Sequence, residues 1–198
     1  MLDYDFFQTV YGEINFSRAE NAMARIPLIE PEDQVTLKDL VAQIRNQRGG
    51  SVLNIYKALL HSPPLAESWF KHINTVRWGT GLDGRLREIV IIRLGHLTGS
   101  AYILRQHVPS LAAAEGLGLE ECDALGDWRD TGHFSARERA ALDFADAMTE
   151  SIQVPDAVFE PLRDHFSPRA IVELAVLVGS YNMHSRVLQA LDVDLEPD

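Results

Sequence analysis

RLREIVIIRLGHLTGSAYILRQHVPSLA, residues 85 to 112, is the stretch from which the rest of the chain is read. An apolar run of helical period opens at Glu88, Gly99-Ser100 breaks it, and a second run carries Tyr102 and His107. If the two helices fold back on each other, a carboxylate and an imidazole meet in apolar surroundings, the requirement for a proton-transfer pair. The competing reading is a pair of core helices whose Glu and His are simply hydrogen-bonded. Ser100, Ile103 and His107 fall at i, i+3 and i+7 and share one face. Gly95 and Gly99 lie along the side of the first helix, where the lack of a side chain lets the second helix come close.

Outward from this pair the pattern stays helical. Toward the N-terminus, a helix with Val35, Leu37, Leu40, Val41 and Ile44 on one side stops at Gly49-Gly50. A short helix over Leu53 to Leu60 ends at His61-Ser62-Pro63-Pro64, and a longer one runs from Pro64 to about Trp78. Toward the C-terminus, Glu120 to Trp128 is a brief acidic helix. Ser135 and Glu138 form a capping box that opens a helix to about Met148. Pro155 to Phe166 is another, and Ser167-Pro168 starts the last, which runs to about Leu191. No segment alternates with the period of a strand. The expectation is an all-α bundle of about eight helices, its short connections implying antiparallel neighbours. Residues 1–30 read as an N-terminal extension and 31–198 as the helical domain.

Composition narrows the function. The net charge of −11 argues against nucleic acid, whose phosphates need a basic face. The single cysteine, Cys122, permits no intramolecular disulfide and fits a reducing compartment. The acidic, aromatic start MLDYDFFQTVYGEINF is unlike a secretory signal, and no apolar stretch is long enough for a membrane span. The expected setting is the cytoplasm, without a membrane or nucleic-acid partner.

The order E-x11-S-x2-I-x3-H, Glu88 to Ser100 to Ile103 to His107, resembles the carboxymuconolactone decarboxylase and alkylhydroperoxidase-D-like family. Its thiol branch carries E-x11-C-x2-C-x3-H. The resemblance extends over roughly residues 45 to 195, through Arg87-Glu88, Gln106 to Val108, Ala113 to Leu117 and VELAVLVGSYNMHSRVLQAL. It implies the helical fold of that family and assembly as a homo-oligomer, a trimer or hexamer. Both positions of the redox cysteines are changed here, to Ser100 and Ile103. Thiol peroxidase chemistry needs one thiolate to attack and a second thiol to resolve the disulfide, so it is disfavoured. The decarboxylase branch, by resemblance, works without cysteines, metal or organic cofactor, and none is expected here.

The expected function is therefore a cofactor-free lyase or isomerase acting on a small carboxylated or carbonyl-bearing molecule. His107 is the candidate general acid/base and Glu88 its orienting partner. Tyr102, His184, Ser100 and Arg186 are the candidate substrate-binding residues, Tyr181, His184 and Ser185 sharing a face of the last helix. Ser100 has no nucleophile elbow and reads better as a hydrogen-bonding residue than as a nucleophile. Arg77, Arg87, Arg93, Arg105 and Arg186 are candidate guanidinium forks for an anion. Trp69 and Trp78 read as core or interface residues. His96, His107 and His184 lack metal-ligand spacing, so no metal is expected. The alternatives are a degenerate alkylhydroperoxidase-like protein with an antioxidant role, or an inert ligand-binding or assembly protein.

Overall fold

The computed structural model describes residues 24–33, 37–108 and 110–197. Residues 1–23, most of the expected extension, lie outside the described residues, as does Val35. Among the described residues every regular element is helical, and ten α-helices follow one another. They are α1 (Lys38–Gln47), α2 (Asn54–Leu59), α3 (Pro63–Trp78), α4 (Gly84–Thr98), α5 (Ala101–His107), α6 (Leu111–Ala114), α7 (Leu119–Ala124), α8 (Ala136–Glu150), α9 (Asp156–His165) and α10 (Pro168–Leu191). The count exceeds eight because the run after Gly99 divides. Helix α5 stops at His107 and α6 is a separate short turn of helix, while Trp128–Asp130 is a 3-10 turn rather than the end of α7.

Helix α4 is the axis of the fold. Every residue from Leu86 to Gly95 is buried, so this helix presents no face to solvent. A helix covered on all sides is the centre of a bundle. It packs against α5, α8 and α10, and α10 packs in turn on α3 and α8. Its ends are fixed by local chemistry. The Asp83 carboxylate accepts from the Leu86 N–H at 2.9 Å, and Gly99 closes the helix in the left-handed conformation at φ 61°. Ser100 immediately caps α5, its hydroxyl accepting from the Ile103 N–H.

The two glycines therefore do different work. A Cβ on Gly95 would lie 2.8 Å from Leu104 Cδ2, so this position does allow α5 to approach α4. A Cβ on Gly99 meets nothing within 4 Å; what that site requires is the backbone conformation.

Two apolar clusters flank α4. The larger gathers residues from α1 to α5 and α8 to α10, with Leu86, Val90, Ile91 and Leu94 supplied by α4. The smaller, on the opposite side, sets Ile89 and Ile92 against Leu104, Cys122, Leu125, Trp128 and Leu142. No helix among the described residues is long and apolar enough to cross a membrane.

Candidate functional site

Glu88 points from the second turn of α4 toward the last turn of α5, and its Oε2 lies 2.6 Å from His107 Nδ1. Glu88 is 0 % and His107 5 % exposed. The hairpin thus brings together the two residues singled out by spacing. Two guanidinium groups share the carboxylate: Arg87 Nε is 3.4 Å and Arg77 Nη2 3.6 Å from Oε1. Burial alone would raise the Glu88 carboxyl, but His107, Arg77 and Arg87 outweigh it and hold it below the usual range. Burial pushes His107 down, reinforced by Arg77 and Arg87, and the pull of Glu88 does not restore it. The resting state is an ionised Glu88 accepting from the Nδ1–H of a neutral His107. Nε2 then carries the lone pair.

That nitrogen faces a cavity of about 390 Å³ lined by His107, Arg77, Tyr181, His184, Tyr102 and Tyr56, among others. The Tyr181 hydroxyl makes a long contact of 3.4 Å with Nε2, and the two rings meet edge to face with centroids 5.6 Å apart. His184 stacks at a tilt between Tyr181 and Trp69. Burial drives the His184 imidazole down to about 3, so it too is neutral. Its Nδ1 is enclosed without a hydrogen-bond partner, and so is Arg77 Nε. Both residues line the cavity, and each keeps one enclosed polar atom without a partner.

The other candidates divide. Tyr102 lines the cavity, but its hydroxyl is already bound to Glu196 and to the Ile55 N–H. Ser100 is buried as the cap of α5 and is not among the cavity-lining residues. Arg186 is outside as well: its guanidinium turns along α10 to Asn182, at 2.7 Å from Oδ1. One helical turn separates Asn182 from Arg186, so the side chain is satisfied locally on the outer face.

Of the arginine forks, Arg77 reaches the cavity, while Arg93 is buried against Asp146 and Arg87 pairs with Glu88 and Glu115. Trp78 corrects the core reading. It is exposed, lines the cavity mouth, and stacks on the guanidinium groups of Arg77 and Arg48.

Tyr56, Arg48 and Gln106 also line the cavity, and the residue pattern does not single them out. The remaining thiol stands apart. Cys122 is buried in the smaller cluster, where burial raises it to about 11, a poor state for a nucleophile. His96 contacts the Cys122 carbonyl at 3.0 Å. Among the described residues no three His, Cys, Asp or Glu side chains are placed to hold a metal ion.

Stability inherits a pH dependence from this burial. His107 and His184 sit below their ordinary value of 6.5, and Glu88 below 4.5. The unfolded chain therefore binds more protons, and the contribution is complete above 6.5 and lost as pH falls. The melting temperature is expected to be flat from about pH 8 to 7 and to drop steadily from about pH 6 to 4. His184→Phe should flatten that drop. An equally steep fall in the variant would mean that His184 is not held neutral.

The carboxymuconolactone decarboxylase family matches residues 63–147 of the chain. This segment runs from α3 through most of α8 and so includes Glu88 and His107 but not α10. The uncharacterized protein YnjA of Escherichia coli K12 is 32 % identical over 114 residues, 57 % of this chain and 62 % of that protein, so the chain spans less than two thirds of that relative. Among solved structures, a protein of unknown function from Agrobacterium tumefaciens superposes with a TM-score of 0.67 at 26 % identity, over 71 % of this chain and 97 % of that one. An uncharacterized peroxidase-related protein from Silicibacter sp. TM1040 gives 0.77 at 23 % identity, over 90 % and 95 %.

Proposed function

Because residues 63–147 match the carboxymuconolactone decarboxylase family and the chain lacks the paired cysteines of the thiol branch, we propose a cofactor-free enzyme that transfers protons next to a carbonyl group. The substrate class is a small carboxylated or carbonyl-bearing molecule, and the step a decarboxylation or isomerisation. One observation carries this reading: His107 is held at Nδ1 by a buried Glu88 and turns Nε2 into the cavity.

A neutral imidazole so placed takes a proton from the carbon beside a carbonyl. The charge that develops on the ring is met by Glu88, 2.6 Å from Nδ1. The developing enolate oxygen is met by the Arg77 guanidinium on the cavity wall, and in an isomerisation the imidazolium delivers the proton to another carbon of the enolate. Buried thiol and missing second cysteine weigh against peroxide reduction.

The expected result is turnover of at least one member of a panel of lactones and β-keto acids by the purified protein. A panel left untouched, including by α-proton exchange in heavy water, overturns the proposal.

The same reading includes self-association as a trimer or hexamer. Val172, Val176 and Met183 leave an exposed apolar stripe along α10. Light scattering should give three or six chain masses, and Val172→Asp should lower the number. A monomer at every concentration would remove this part.

A further inference from the structure

After α10 the chain turns back through Asp192, at φ 51°, and runs against the body of the protein. Val193 and Leu195 pack on the larger core, and the Asn54 side chain donates to the carbonyls of Asp194 and Leu195 at 3.0 and 3.3 Å. Further along, Glu196 sets its carboxylate in a group of neutral donors. Oε1 accepts from the Tyr102 hydroxyl and, at 2.8 Å, from the Asn54 N–H; Oε2 accepts from Gln106 Nε2. Tyr102 is 5 % exposed, so this is a built site and not a chance surface contact. Tyr102 and Gln106 both line the cavity that His107 faces, as do Leu53 and Ile55 on either side of Asn54. The seat therefore belongs to the wall of that cavity while its occupant belongs to the tail.

We propose that Tyr102, Gln106 and the Asn54 N–H form a carboxylate subsite, filled at rest by the chain's own Glu196 and taken over by the carboxylate of a small organic acid when the tail lifts. Three donors converging on two oxygens match a carboxylate and nothing smaller. The tail is held by side-chain and backbone hydrogen bonds and two apolar contacts, with no covalent tie, so a competing acid can displace it. The Tyr102 hydroxyl, which donates to Glu196 at rest, donates to the ligand's carboxylate after the exchange. The ligand class rests on the carbonyl-acid reading of the cavity, but the subsite does not depend on turnover.

The probes are benzoate and benzamide, of similar shape and different charge, titrated against the full chain with the fluorescence of Trp78 at the cavity mouth as readout. Glu196→Ala should bind benzoate about tenfold more tightly than the native protein, because the internal competitor is gone. Benzamide affinity should stay within about twofold, less than one hydrogen bond is worth. Tyr102→Phe in the Glu196→Ala background should return benzoate to native affinity. If Glu196→Ala does not fold, Glu196→Gln replaces it, with a smaller gain of the same sign. Equal benzoate affinity in native and variant proteins overturns the subsite. So does an equal gain for benzamide, which would make the tail a plug without chemical preference. Benzoate tightening without turnover of any lactone or β-keto acid leaves the subsite standing and removes the proton-transfer reading.

Discussion

His107→Ala is expected to lower kcat/KM by about 10²–10⁴-fold on whichever carbonyl acid the native protein turns over, the range a positioned general base supplies. The loss should fall on kcat more than on KM, since Arg77 and His184 remain to hold the substrate. His107→Asn separates chemistry from packing. Its amide can still donate to Glu88 Oε2 and fill the space, so it should fold like the native protein and remain as inactive as the alanine variant. The acid limb of the native kcat/KM profile should lie below pH 6.5, because burial and the two guanidinium groups hold the imidazole below its ordinary value. Activity must then be full at neutrality and fade as His107 takes up a proton. Turnover by His107→Asn at native rates would place the base elsewhere in the cavity, and an acid limb above neutrality would mean that Glu88 wins the contest for the proton.

This pair was legible because its geometry is local. Gly99 and Ser100 dictate a reversal, and with helical spacing on each side the separation of nineteen residues between Glu88 and His107 collapses to one contact. The helix ends were legible for the same reason. Asp83, Ser135 and Ser167 cap by side-chain hydrogen bonds to the residue three further on, whatever the rest of the fold does.

What periodicity does not carry is the rotation of one helix against another. On α10, buried and exposed apolar residues alternate with polar ones, and the sequence alone does not say which polar residue turns inward. Tyr181 and His184 do, while Arg186, two positions further, does not. Arg48, Tyr56 and Trp78 come from three segments whose meeting depends on the course of the loop after α1. The Glu196 contacts span 90 and 94 residues, a separation that no local pattern encodes.

Asp146→Ala should be the most destabilising single change away from the cavity. Its carboxylate, almost fully buried, accepts from Arg93 Nε at 2.7 Å and Nη2 at 3.0 Å, from Trp128 Nε1 at 3.1 Å and from Arg129 Nη1 at 2.7 Å. Arg93 extends the network, donating from Nη1 to the carbonyls of Leu125 and Gly126 at 2.9 and 2.6 Å. These bonds tie the middle of α4 to α8 and to the end of α7. Removing the carboxylate leaves the Arg93 guanidinium buried without its counter-charge, which costs about 3–5 kcal/mol. In a chain of this length that lowers the melting temperature by roughly 6–20 °C. Arg129→Ala removes a bond to the same carboxylate, yet its side chain is 54 % exposed. Solvent screens that pair, so the loss should stay within about 1 kcal/mol. Arg93→Met is the sharper control. It removes the buried charge but also strips the Leu125 and Gly126 carbonyls of their donor, so it should remain clearly destabilising, whereas a recovery to native stability would show the carbonyls to be satisfied without it. Thermal melts of the three variants rank the contributions: Asp146→Ala lowest, Arg93→Met between, Arg129→Ala near native. An Asp146→Ala protein melting within about 3 °C of native would mean that apolar packing around α4, and not this network, holds α8 in place.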